Sequence, residues 1–478
     1  MNLSLLTDFY ELSMMQGYFL RQENPAVVFD MFFRRQPFGG GFSVFAGLDT
    51  ALSHIASLSF SQEDLAWLDS LGTFQKSFLD FLGRLKFKGD IWAMTEGSLA
   101  FPGEPLVRVH ASLIEAQLIE SALLSILNFQ TLIATKSARI RLAARGGSVV
   151  EFGLRRAQGL DGALSASRAA FIGGASATSN TLAGKLYGIP VRGTMAHSWV
   201  MAFHNELEAF EKYAQTYPDG TVLLIDTYDT LGSGIENAIA VGRKLKADGH
   251  TGFGVRLDSG DLEYLSKAVR ARLDSAGLTD ARIMASNELE EEIIEQLVTR
   301  GAPIDSWGVG THLVTGGNDP ALTGVYKICA RQDSGRWVPT IKVSNNPEKV
   351  TNPGIKQVWR FTNAAGSPLA DLIGLADDAP RPGVPHQLHH PSGDYRSLVL
   401  EEYAGITPLL TLCVKGGEIL DGADLPAARS RAIAELDGLD DTYKRLINPH
   451  VYKVSLSTGL ADLKARLIQD TLARGAHG

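Results

Sequence analysis

The sequence predicts an α/β protein centred on a parallel sheet or β/α barrel, and three observations carry that expectation. Short apolar runs at 149–152, 189–193, 222–225, 252–257, 282–285 and 306–309 recur about every 25–40 residues, the size of a strand–helix unit. Amphipathic helical stretches separate the runs, and such alternation implies parallel strands. Each run ends in, or is followed by, polar residues: Gly153-Leu154-Arg155, Thr194-Met195-Ala196-His197, Asp226-Thr227, Arg256-Leu257-Asp258-Ser259-Gly260, Ser286-Asn287 and Gly310-Thr311. Polar groups at the C-terminal ends of successive parallel strands form the active face of a barrel.

Before the barrel, the chain reads as a helix over 5–19, a strand over 26–34 and a glycine turn at Gly39-Gly40-Gly41. Helical patterns follow, punctuated by Ser61-Gln62-Glu63-Asp64. The stretch 113–144 is the most apolar, yet it contains Glu115, Glu120, Asn128, Gln130 and Lys136. It is too polar to span a bilayer and reads as buried helix. Beyond about residue 340, Asn345-Asn346-Pro347, Asn352-Pro353-Gly354 and Pro380-Arg381-Pro382-Gly383 mark loops. Strand-like runs at 359–361, 398–400 and 409–414 precede a terminal helix over 461–473. The expected organisation is an N-terminal α/β domain at 1–145, a catalytic β/α barrel at 146–340, and a C-terminal region at 341–478 packed on both.

Composition narrows the functional class. The 478 residues carry a net charge of −8, with 45% hydrophobic and 21% charged residues, ordinary for a soluble enzyme. The acidic balance argues against a nucleic-acid-binding surface, so anionic substrates would need locally concentrated cations. Two cysteines, Cys329 and Cys413, are too few for a disulfide framework and suit a reducing compartment. The start lacks a basic segment and carries Asp8 and Glu11, unlike a targeting peptide. The expectation is a cytoplasmic protein without membrane association.

Val255-Arg256-Leu257-Asp258-Ser259-Gly260-Asp261 is the sharpest local motif. Arg256 and Asp258 alternate, so both point to one face of a strand end. Such an Arg can grip a carboxylate in a fork, and such an Asp can accept from sugar hydroxyls or hold a metal. Asp258 or Ser259 would cap the next helix, whose N-terminus favours phosphate. The same residues also fit a plain Arg–Asp ion pair with an N-cap. His197, expected to open a helix, is a competent nucleophile toward phosphoryl groups when neutral; a hydrogen-bonded core histidine is the alternative. Gly308-Val309-Gly310-Thr311 lets backbone N–H groups approach an anion, or is a tight turn. Arg155-Arg156 suits a phosphate, or is a solvated pair. His386, His389 and His390 lie in a proline-rich loop without Cys or carboxylate at ligand spacing, which disfavours a metal site.

Several segments resemble bacterial nicotinate phosphoribosyltransferases, in order along nearly the full chain. They are Leu5-Leu6-Thr7-Asp8-Phe9-Tyr10, Phe32-Phe33-Arg34-Arg35-Gln36-Pro37-Phe38-Gly39-Gly40, Gly153-Leu154-Arg155-Arg156-Ala157-Gln158-Gly159, Gly193-Thr194-Met195-Ala196-His197-Ser198, Gly254-Val255-Arg256-Leu257-Asp258-Ser259-Gly260-Asp261 and Gly324-Val325-Tyr326-Lys327. The resemblance implies a type II phosphoribosyltransferase fold: an irregular α/β barrel, a second α/β domain from the N-terminal part, and a packed C-terminal region. It implies a homodimer with active sites at the subunit interface, and nicotinate, 5-phosphoribosyl 1-diphosphate, ATP and Mg²⁺ as substrates and cofactors. By resemblance, Tyr10 would stack on the pyridine ring from the partner subunit. Thr194, Arg256, Asn180 and Phe152 would bind nicotinate. Thr311, Gly310, Gly308, Arg155 and Ser259 would bind phosphoribosyl diphosphate. His197 would be transiently phosphorylated, and Asp258 would serve the ribose in catalysis. Related nicotinamide-using enzymes place an Asp where Asn180 stands. A neutral Asn would not repel a carboxylate, which favours the acid over the amide.

Two rival readings remain at this stage. One is a nicotinamide or quinolinate phosphoribosyltransferase. The other is a phosphate-binding barrel aldolase or isomerase, for which Lys327 is the lysine nearest a motif.

Overall fold

The structure, a computed structural model, describes residues 3–392, 397–420, 422 and 424–475. Two compact units divide the chain. One joins Met1–Leu132 to Ala321–Gly478, and the other is Ile133–Pro320. This differs from the three regions expected from sequence: the N-terminal and C-terminal segments form one unit, and the division falls before residue 145.

Strand pairing explains why the two ends of the chain share a unit. Ala26–Phe33 pairs antiparallel with Gly324–Asp333 on one side and with Val107–Ser112 on the other. This places it third in a seven-stranded antiparallel sheet that also includes Thr411–Lys415. The strand is buried along nearly all its length, so Val27, Phe29, Met31 and Phe33 all lie in the core with Leu12 and Met15 of the helix Phe9–Arg21. Phe29 and Tyr326 stack across the pairing at 4.6 Å between ring centroids, adding a directional term to the apolar burial. A second, six-stranded sheet, with Lys356–Thr362 and Pro368–Leu375 in its interior, lies wholly in the C-terminal segment.

Local chemistry sets the helix ends. Phe9–Arg21 begins four residues later than expected, after Asp8. The apolar stretch 113–144 is two helices, Leu113–Leu118 and Glu120–Ala143. The first opens on a capping box in which Ser112 and Glu115 each satisfy the other's backbone N–H.

The second unit contains six parallel strands: β1 (Ser148–Glu151), β2 (Ala177–Thr178), β3 (Val222–Leu224), β4 (Gly254–Leu257), β5 (Arg282–Ala285) and β6 (Ser306–Val309). Their order is β2-β1-β6-β5-β4-β3. The run 189–193 is not a strand; it contributes one parallel bridge, Thr178↔Val191, beyond β2. The run of hydrogen-bonded strands therefore ends at Val191 on one side and at β3 on the other, and the expected barrel is irregular for that reason. Helices follow the strands as expected of βα units, for example Gly159–Ile172 after β1 and Leu262–Ser275 after β4.

Glu11 carries a consequence for stability. It is fully buried in the helix Phe9–Arg21, and its carboxylate accepts from Gln117 Nε2. Burial pushes the Glu11 carboxyl up to about 7, Glu120 and Asp8 add to the rise, and the bonds from Tyr10 and Gln117 oppose it. The folded chain thus holds this proton more tightly than the unfolded chain, where the ordinary value is 4.5. The stability from the protonated form is complete below pH 4.5 and is lost as pH rises through about 7. Glu11→Gln should flatten that decline in urea melts taken across this range. An unchanged pH slope would show that Glu11 stays ionised in the folded chain.

Candidate active site

Polar residues that follow several of the strands converge through hydrogen bonds, and the Arg256 side chain on β4 makes three of them. Its Nε donates to Ser286 Oγ at 2.8 Å, its Nη1 to Thr194 Oγ1 at 3.0 Å and its Nη2 to Asp258 Oδ1 at 2.8 Å. The guanidinium lies 5.5 Å from the centre of the Phe152 ring, within range of a cation–π attraction. Its side chain is 15% exposed, enough for a ligand to reach it. The hydroxyl of Thr194 donates to Met195 O at 3.2 Å, so an oxygen lone pair faces the arginine. The ion-pair reading of Arg256 and Asp258 holds in this structure, while the capping half does not. Asp261 caps the helix Leu262–Ser275 through the N–H of Tyr264, and Asp258 and Ser259 do other work.

That work centres on Asp226, at the end of β3. Its side chain is 1% exposed, and its Oδ1 lies 3.1 Å from His197 Nε2. Its Oδ2 accepts from the backbone N–H of Asp258 at 2.9 Å and from Ser259 Oγ at 2.6 Å. A buried carboxylate needs such donors. The sequence reading placed Asp226 at a strand end without assigning it a role, because nothing in the local string connects it to a histidine 29 residues earlier. His197 opens a helix as expected, but that helix, His197–Met201, has five residues. The carboxylate is therefore the imidazole's nearer electrostatic partner.

A second buried carboxylate, Glu151, organises the end of β1. It accepts from Ser167 Oγ at 2.8 Å, from Thr178 Oγ1 at 2.5 Å and from the N–H of Gly153. These bonds fix the turn that carries Phe152 and leads into the single helical turn Leu154–Arg156, where Arg155 and Arg156 are exposed. Asn180 joins the same network from the other side. Its Nδ2 donates to Ser167 Oγ at 3.3 Å and to Ala163 O at 3.5 Å, while its Oδ1 caps the helix Thr181–Tyr187. Asn180 is thus buried and connected to the turn bearing Phe152 and Arg155 through Ser167 and Glu151, with no hydrogen bond to Arg256.

On β6, Gly308 makes room for Phe152: a Cβ at this position would stand 2.6 Å from the ring. Gly310 precedes the five-residue helix Thr311–Thr315, with Thr311 as its first residue. Tyr10 belongs to the other unit, where it is half exposed near the start of the helix Phe9–Arg21. Lys327 lies on the strand Gly324–Asp333 of that same unit, with its ammonium 3.7 Å from Glu120; no lysine stands among the strand-end residues named above. Among the described residues, no group of three or more His, Cys, Asp or Glu could hold a metal ion.

Comparison with known proteins adds the following. The family model for the nicotinate phosphoribosyltransferase N-terminal domain matches residues 5–128, that for the nicotinate phosphoribosyltransferase family matches 148–342, and that for its C-terminal domain matches 355–464. A nicotinate phosphoribosyltransferase of Bacillus subtilis is 43% identical over 476 residues, covering 99% of this chain and 96% of its own. The crystal structure of human nicotinic acid phosphoribosyltransferase aligns with a TM-score of 0.83 at 32% identity, over 96% of this chain and 99% of that one. A nicotinate-nucleotide pyrophosphorylase from Pyrococcus furiosus aligns with a TM-score of 0.71 at 21% identity, over 91% of this chain and 96% of its own; that likeness is one of fold.

The packing at Gly308 can be tested directly. Gly308→Ala forces the Phe152 ring to move, and overpacking of this kind costs about 1–3 kcal/mol. The denaturation midpoint should fall accordingly, and a midpoint equal to that of the parent chain would show that the ring yields freely.

Proposed function

Given that the chain belongs to the nicotinate phosphoribosyltransferase family, we propose that the cluster at its strand ends is where nicotinate is joined to 5-phosphoribosyl 1-diphosphate. The products are nicotinate mononucleotide and diphosphate, in NAD biosynthesis. The observation that carries the site assignment is the state of Arg256. Three of its five N–H groups are taken by Ser286, Thr194 and Asp258. One N–H therefore remains on Nη1 and one on Nη2, a fork suited to the two oxygens of a carboxylate. Phe152 offers an apolar face beside that fork for the pyridine ring, and Tyr10 of a partner subunit would cover the other face in a homodimer.

With the ring so held, the pyridine nitrogen is aimed at C1 of the ribose. Orientation of this kind is a large part of catalysis for a two-substrate transfer. As the C1–O bond to diphosphate breaks, positive charge develops on the ribose, as in other glycosyl transfers. Asp258 would serve here, because its Oδ2 makes no hydrogen bond among the described residues while Oδ1 is tied to Arg256 and Ser286. Arg155, Ser259 and the backbone of Gly308-Val309-Gly310-Thr311 would meet the phosphates. Magnesium typically binds through one or two carboxylates plus substrate phosphates. Asp258 is the carboxylate that would hold such an ion beside the substrate phosphates, and the ion would supply positive charge to the leaving diphosphate.

ATP would couple to the reaction through His197. A neutral imidazole beside a carboxylate donates an N–H hydrogen bond to it, so Nε2–H points to Asp226 and Nδ1 carries the lone pair. Attack by Nδ1 on the terminal phosphorus forms an N–P bond as the P–O bond to ADP breaks, with no proton lost first. Hydrolysis of that phosphohistidine would draw the transfer toward nucleotide. The two free cysteines support a cytoplasmic setting, and no helix among the described residues is long and apolar enough to cross a membrane.

Product analysis with nicotinate, phosphoribosyl diphosphate and Mg²⁺, with and without ATP, tests this reading. Nicotinate mononucleotide should form in both cases and accumulate further with ATP. His197→Ala should lose the acid-labile phosphoenzyme while retaining ATP-independent transfer. In the parent chain, the phosphohistidine should be the Nδ1 isomer by phosphorus NMR. An Nε2 adduct would overturn the assigned tautomer, and absence of nucleotide would overturn the function.

A further inference from the structure

We infer that Ser286 is a positioning residue that sets the plane of the Arg256 guanidinium and thereby determines which edge of it meets the substrate carboxylate. The inference rests on the reading of Arg256 as the carboxylate anchor. Ser286 follows β5, whose Met284 and Ala285 lie in register with Arg256 and Leu257 of β4. Its backbone N–H donates to Leu257 O at 2.9 Å, and the residue is 2% exposed, so the hydroxyl has little freedom. That hydroxyl accepts from Arg256 Nε at 2.8 Å and donates to Asp258 Oδ1, while Arg256 Nη2 donates to the same oxygen at 2.8 Å. The three side chains close a ring. Asn287, next in the chain, holds φ at 108°, in the region that favours glycine, and its carbonyl accepts from Leu289 N at 2.8 Å. The turn that presents Ser286 is thus held in one unusual conformation.

The ring has a chemical consequence. The side of the guanidinium formed by Nε and Nη2 is filled by Ser286 and Asp258. A carboxylate must then approach the end formed by Nη1 and Nη2. Without the Ser286 hydroxyl, Nε loses its acceptor and Asp258 Oδ1 loses one of its two donors. Asp258 is then free to pair with the Nε side, and the guanidinium is free to turn away from nicotinate. Removing Ser286 should therefore weaken the grip on the acid more than it slows the chemistry.

The test is steady-state kinetics of Ser286→Ala and Ser286→Thr, with nicotinate and phosphoribosyl diphosphate varied separately and Arg256→Ala assayed in parallel. Ser286→Ala should raise KM for nicotinate by about tenfold, the loss expected for one charge-assisted hydrogen bond. Its KM for phosphoribosyl diphosphate should stay close to that of the parent. Ser286→Thr, which keeps the hydroxyl, should remain within about threefold of the parent, less than half a hydrogen bond's worth. Added to Arg256→Ala, Ser286→Ala should cause no further loss, since the two act as a unit. If Arg256→Ala raises the nicotinate KM and Ser286→Ala does not, the role of Ser286 is overturned and the anchor stands. If neither raises it, the anchor itself fails. Should the alanine variant not fold, Ser286→Cys, similar in size with a weak hydrogen-bonding group, is read against the same two outcomes.

Discussion

The carboxylate of Asp226 is the interaction on which the catalytic unit depends. The run of parallel strands has two ends, at Val191 and at β3. The chain leaving the first end brings His197, and the chain leaving the second brings Asp226. The 3.1 Å contact between them joins two strand ends that no backbone ladder connects. The same carboxylate holds the N–H of Asp258 and the hydroxyl of Ser259. Asp258 in turn holds Arg256, which holds Thr194 and Ser286. One buried charge thus sets His197, the proposed phosphoryl acceptor, and the turn bearing Arg256, the proposed carboxylate anchor, in a single frame, which suits the proposed link between ATP hydrolysis and nucleotide formation.

Glu151 plays the matching part on the opposite side of the strand run. It secures the turn after β1, and with it the Phe152 ring that lies against Arg256. In each network the central carboxylate is buried and both of its oxygens are partnered. In a low-dielectric interior such networks are rigid when complete and costly when broken. Rigidity is what a site needs when its main resource is orientation. It also explains why the side chains of this cluster come from several separate segments: no single loop could hold an imidazole, a guanidinium and an aromatic ring in one fixed relation.

The sequence was most informative where the physics is local. Buried parallel strands read as continuous apolar runs, so 282–285 and 306–309 coincide with β5 and β6. The strand β2 has two residues and leaves no periodic signal, while the apolar run after it, 189–193, supplied the expected pattern but only one bridge. In Asp258-Ser259-Gly260-Asp261 several residues could cap a helix, and the outcome is tertiary: Asp226 takes the hydroxyl of Ser259 and leaves the cap to Asp261. The pairing of Ala26–Phe33 with Gly324–Asp333 lies beyond any local pattern, and it merges the first and last parts of the chain. Arg256, His197 and Thr194 stand out in sequence through their motifs, and the structure joins them in one hydrogen-bonded cluster. Asp226 was visible only as a polar residue at a strand end, because its partner is distant in sequence.

The most direct test of this account is rapid-quench measurement of phosphoenzyme formation from ATP in Asp226→Asn. An asparagine can still accept from Asp258 N with its oxygen, but its amide nitrogen must then face His197. The imidazole would have to accept at Nε2 and carry its proton on Nδ1, the wrong tautomer for attack. The account predicts that phosphoenzyme formation slows by at least about a hundredfold, a conservative figure beside the loss seen when a triad aspartate is replaced by asparagine, while ATP-independent transfer of phosphoribosyl to nicotinate continues. Phosphoenzyme formation at the parental rate would contradict the account, since His197 would then need neither the charge nor the orientation that Asp226 supplies.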